Sequence, residues 1–153
     1  MTKTGSSTLL LSLGDRESRV RLTGEDGVNR EFVLALGLDA MTPGPFRRDP
    51  PTPLELEQAI MVVEDVLMPL AAHVPPHPLV ELHSPVPLAE GLGSHELSRE
   101  SIEKLFGQLV AMVEGDPLAS AQLPRDRRFA AALLILREWM HHLDAGSVAL
   151  VDQ

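Results

Sequence analysis

Two groups of side chains in this 153-residue sequence have the types and spacing to do chemistry. The first is His73, His77, Glu81 and His83. If residues 79–83 form a strand, its period of two puts Glu81 and His83 on one face, where a carboxylate and an imidazole could bind a divalent metal or act as base and orienter. His73 and His77 are separated by Pro75 and Pro76, so they lack the helix that would give such a pair a common face, and they read as solvated loop residues. The second group is Arg125, Arg127 and Arg128, at the start of the last predicted helix. Positive charge there opposes the helix dipole by roughly a few tenths of a kcal/mol per residue. A bound anion would reverse the sign, since helix N-terminal amides and guanidinium groups together make a phosphate site. Neutralisation by Asp126, Asp116 and Glu114 is the competing expectation. His141 and His142 close the same helix, where cations suit the dipole, and a structural role suffices for them.

The signatures of several enzyme classes are missing. There is no GxSxG, no Walker loop and no GxGxxG. The absence of cysteine excludes disulfides, thiolate metal sites and a cysteine nucleophile. No catalytic residue can be assigned and no cofactor is expected.

The elements that would position these groups follow from periodicity and punctuation. Residues 8–13, 19–23 and 30–36 read as strands. Gly24 to Gly27 supplies a hairpin loop between the second and third. Within the second, Arg19 and Arg21 fall on one face and Val20 and Leu22 on the other, as expected when one face is wet. Residues 43–53 hold five prolines in eleven positions and read as a surface loop or arm, with Arg47 and Arg48 solvated on it. A capping box of Thr52 and Glu55 with Pro53 between them starts a helix, and Pro69 should end or kink it near Met68. After the strand at 79–83, Ser98 caps a second helix that stops at Gly115. The last helix runs from about Asp126 to Leu143 with Gly146 as terminator, and residues 147–151 add a strand. The order βββ-α-β-α-α-β predicts an α/β or α+β fold with one mixed sheet covered by helices. A two-layer α+β domain with every strand antiparallel is the rival arrangement.

Length fits one domain over 1–153, and the 44% hydrophobic and 23% charged composition is that of an ordinary globular chain. The net charge of −9 disfavours nucleic-acid and anionic-membrane partners. No window has the 18 apolar residues of a membrane span and no secretory leader is recognisable, so a cytoplasmic location is expected. Basic residues are almost all arginine, a bias read as that of a GC-rich bacterial genome. Leu134 and Ile135 on the last helix, with Met61 and Val62 on the first, broaden the apolar faces beyond a narrow stripe and predict a homodimer.

The meander bears a resemblance. Residues 11–20, Leu-Ser-Leu-Gly-Asp-Arg-Glu-Ser-Arg-Val, resemble the first phosphate loop of the exopolyphosphatases, members of the actin-like ATPase superfamily, with Gly14 and Arg19 matching. Leu36 to Ala40, and Val80 to Ser84 ahead of Ala89, Glu90 and Gly91, are similar to that family's next segments. The resemblance covers residues 8–91 and implies a ribonuclease-H-like half-domain. It also implies lost activity. The family's metal-linked Asp falls on Ser12, its loop Ser and Asn on Asp15 and Arg16, and the Thr of its second phosphate loop on His83, with only Ser84 retained. The expected function is therefore that of a non-catalytic cytosolic accessory or interaction protein, docking through the proline-rich arm. A small metal- or phosphate-binding enzyme is the alternative, with Glu81 and His83 as metal ligands and Arg125, Arg127 and Arg128 as the anion site.

Overall fold

In a computed structural model, described for residues 7–24, 26–39, 46, 48, 49, 51–75, 77–84, 96–120 and 123–151, the chain forms one mixed sheet with helices packed on it. The strands are β1 (Thr8–Ser12), β2 (Ser18–Thr23), β3 (Asn29–Leu34), β4 (Leu79–His83), β5 (Glu96–Ser98) and β6 (Ser147–Leu150). The helices are α1 (Pro53–Ala71), α2 (Arg99–Val113), the single turn α3 (Pro117–Ser120) and α4 (Arg127–His142). Spatially the strands run β3-β2-β1-β4-β6-β5.

The meander is antiparallel, with Leu11 opposite Val20 and Val20 opposite Phe32. Its hairpin closes where expected, Gly27 taking φ +80°. β4 then pairs parallel with β1, and β6 parallel with β4, which overturns the all-antiparallel arrangement. The reason is connectivity. A helix between β3 and β4, and helices between β4 and β6, return the chain to the same edge and give parallel neighbours. β5, unforeseen in the sequence, adds an antiparallel edge on β6.

One face of the sheet carries the core. Leu9, Leu11, Val20, Leu22, Leu34, Val80, Leu82, Leu97 and Val148 are buried there and join residues of the helices in a single cluster. On the opposite face Arg19, Arg21, Glu31 and Val33 are exposed, and Leu10, Ser12, Glu81 and His83 are half-buried. This is the alternation read from β2.

The helices correct three expectations. α1 begins with the full capping box, the Glu55 amide donating to Thr52 Oγ1 and the Thr52 amide to Glu55 Oε1. Of the end or kink expected near Met68, the end does not fall there: the helix passes Pro69 and continues to Ala71. Pro69 is exposed and in the last turn, where losing one amide donor is tolerated. α4 is terminated not by Gly146 but by Asp144, which holds φ +55° after the cap Leu143. Leu134 and Ile135, expected on a dimer surface, are fully buried inside the chain's own fold. α4 is the central helix, covered on nearly all sides from Phe129 to Leu136. No helix among the described residues is long and apolar enough to cross a membrane.

Candidate functional site

In a sheet of this topology, ligands bind beyond the carboxyl ends of the parallel strands. Here that edge gathers the turn after β1, the segment after β3 and the start of α4. The turn is tight. The amides of Leu38 and Asp39 donate to the carbonyls of Gly14 and Asp15 at 2.9 and 2.7 Å. A Cβ on Gly37 would lie 2.5 Å from the Asp15 carbonyl oxygen, so only glycine lets the two backbones approach this closely. Buried Ser18 completes the turn, its hydroxyl donating to the Leu36 carbonyl at 3.0 Å.

Arg128, in the first turn of α4, reaches into this edge. Its Nη1 donates to Asp39 Oδ2 at 2.6 Å and its Nη2 to Asp15 Oδ1 at 2.8 Å. The hydrogen bond to Asp15, and with it the charges of both carboxylates, outweigh burial and raise the guanidinium's pKa above its ordinary value, so its charge is permanent. Arg127 is also engaged. Its backbone amide donates to Asp49 Oδ1 at 2.7 Å and its Nη1 to the Phe46 carbonyl at 3.4 Å. Asp126 caps the helix, accepting from the Arg128 amide. Arg125 lies exposed outside this network. Of the three arginines foreseen as an anion site, Arg127 and Arg128 thus meet carboxylates, and these are Asp15, Asp39 and Asp49 rather than Asp116 and Glu114.

Five of the eleven residues of the proline-rich segment, 43–45, 47 and 50, lie outside the described residues. Its described part packs inward, with Phe46 and Pro51 buried and Asp49 against α4.

Glu81 and His83 do share a face of β4, opposite Leu10 and Ser12 of β1. That face is the one away from the helices, and the structure brings no third His, Asp or Glu to the pair among the described residues. His73 contacts Arg30 and Phe32 instead, and His77 lies 3.5 Å from Asp144. The convergence that sequence reading missed is on the helical side: Glu64 of α1 with Glu138 and His142 of α4. The spacing of Glu138 and His142, one helical turn apart, was a signal available in the sequence. Glu64, on a different helix, was not.

Comparison with solved structures places the fold. The chain superposes on the Aquifex aeolicus PPX-GPPA enzyme with a TM-score of 0.70 over 96% of its length, at 14% identity. The fold is that of the Ppx/GppA exopolyphosphatases. An exopolyphosphatase from Cytophaga hutchinsonii matches 97% of the chain with a TM-score of 0.68 at 14% identity, and an exopolyphosphatase-like protein matches 99% with 0.70 at 13%. The chain spans 54%, 54% and 58% of these neighbours, little more than half of each. No protein-family model matches the sequence, and no curated protein is significantly similar to it. The resemblance read from residues 8–91 therefore extends, as fold, over almost the whole chain.

Proposed function

We propose that this chain is a non-catalytic, cytosolic accessory or interaction protein built on the half-domain of an exopolyphosphatase-type fold. The observation that carries this reading is the Arg128 clasp. At the edge where a phosphate would lie, Asp15 and Asp39 share one guanidinium, so two carboxylates meet a single permanent positive charge. Phosphoryl transfer needs the opposite, an excess of donors and a metal around a polyanion. Ser12 and His83, on the positions that the resemblance gives to a metal-linked Asp and a phosphate-loop Thr, supply no carboxylate for Mg²⁺.

The rival reading, a small phosphate-binding enzyme, draws support from the names of the neighbouring structures and from the start of α4 at the strand ends. Incubating the full chain with inorganic polyphosphate and Mg²⁺ separates the two. The expected result is no phosphate release above the protein-free rate. Release that scales with protein concentration and disappears in Asp15→Asn would establish an enzyme and end the accessory reading.

A further inference from the structure

Glu64, Glu138 and His142 converge where α1 packs on α4. His142 Nε2 lies 3.3 Å from Glu64 Oε2 and 3.3 Å from Glu138 Oε1. Yet that ring nitrogen is buried and makes no hydrogen bond among the described residues, because neither carboxylate oxygen lies in its donating direction. Glu138 is the more telling member, with a side chain 1% exposed. A carboxylate is buried at this depth only when it is paired or bound to a metal. Its Oε2 takes Arg137 Nη1, and its Oε1 is left facing His142 and Glu64. Arg137 is in turn held by Glu103, through Nε at 3.1 Å, and lies over the Phe106 ring. Arg137 is shared between Glu138 and Glu103, so with Glu64 three carboxylates meet one guanidinium around the imidazole, a net charge of −2.

We propose that these three residues bind a divalent transition cation, Zn²⁺ being the ion that fits best, and that the ion fastens α1 to α4. Zinc takes imidazole nitrogen and carboxylate oxygen at about 2.0–2.1 Å in a tetrahedron, whose edges are then about 3.3–3.4 Å. Both measured separations from His142 Nε2 match that edge. The dication balances the two carboxylates, and the imidazole favours Zn²⁺ over Mg²⁺ or Ca²⁺. Glu138 and His142 stand one turn apart on a rigid, largely buried helix, which fixes two ligands before any ion arrives. Arg137 does for Glu138 what outer partners do for metal ligands: it occupies one oxygen and aims the other. Glu64 is 40% exposed, which leaves a way in and room for water at a fourth position.

The site is separate from the strand-end edge, so the polyphosphate experiment does not bear on it. Its test is calorimetric titration of ZnCl₂ into the chelator-treated full chain. One Zn²⁺ per chain is expected, with affinity reduced at least tenfold in Glu64→Gln and in His142→Ala, and unchanged in a Glu81→Gln/His83→Ala double variant. Glu64→Gln alters a partly exposed residue and leaves the fold intact, so it decides the matter should His142→Ala unfold. The thermal midpoint should rise with Zn²⁺ in the parent and rise less in Glu64→Gln at the same Zn²⁺ concentration. Absence of saturable binding near one equivalent, parental affinity in Glu64→Gln, or loss of binding in the double variant would each overturn the assignment.

Discussion

At the scale of single residues, Arg128 links the meander to the helices through two carboxylates. Its partners Asp15 and Asp39 stand 113 and 89 positions away, which is why the arginine cluster was legible in the sequence and its neutralisation was not. Sequence reading looks for compensation nearby, and of the nearby acids Asp126 serves only as a cap. Replacing Arg128 with Ala should lower stability by about 1 kcal/mol, a modest figure because the guanidinium is partly exposed to solvent. Urea denaturation measures it. Asp15→Asn combined with Asp39→Asn should release the guanidinium at the helix N-terminus, and sulfate should then shift the amide resonances of residues 123–129, which it leaves unmoved in the parent. Gly37→Ala should be the most damaging small change, costing several kcal/mol by the order of core overpacking, since the clash falls on backbone that cannot move aside.

Among the elements, those with chemical punctuation were read well and those without it were not. Thr52, Glu55 and Ser98 name their helix starts because each satisfies orphan amides by an identifiable bond. Thr52→Ala should therefore cost about 1 kcal/mol, visible as a lower denaturation midpoint. Pro69 misled because the rule that prolines break helices is written for interiors, and in a last turn facing water only one bond is forfeited. Pro69→Ala should raise the thermal midpoint rather than lower it. Asp144 took the left-handed position assigned to Gly146, its side chain bonded to Arg99 at 3.4 Å. β5 escaped notice because three residues with one apolar member, Leu97, show no period at all. The parallel pairing of β1 with β4 left no trace in either strand, for local sequence does not state a partner's direction.

Over the whole molecule, the broad apolar stripe of α4 was read correctly as excess but assigned to the wrong surface: it fills the protein's own centre. Leu134→Ala should cost 2–5 kcal/mol, roughly, as a cavity in a packed core, measurable by calorimetry. Large apolar residues still exposed on α1, Leu54, Met61 and Met68, recur every seven positions and so line one flank of the helix. Self-association is expected through that flank, two copies of α1 side by side. Glu57 and Asp65 beside it would repel, so light scattering should show the dimer gaining with salt and vanishing in Met61→Glu. One feature of the sheet bears on how the chain comes to be folded. β6 lies between β4 and β5, so neither the edge strand nor the far side of the sheet has a neighbour until residues 147–150 have been made. Until then Val80 and Leu82 have a neighbouring strand on the β1 side only, and Leu97 has none. On the ribosome the emerging chain is thus obliged to wait, a partly built sheet with an open flank, and a holdase chaperone that shields such flanks should raise its yield during synthesis more than it does on refolding from denaturant.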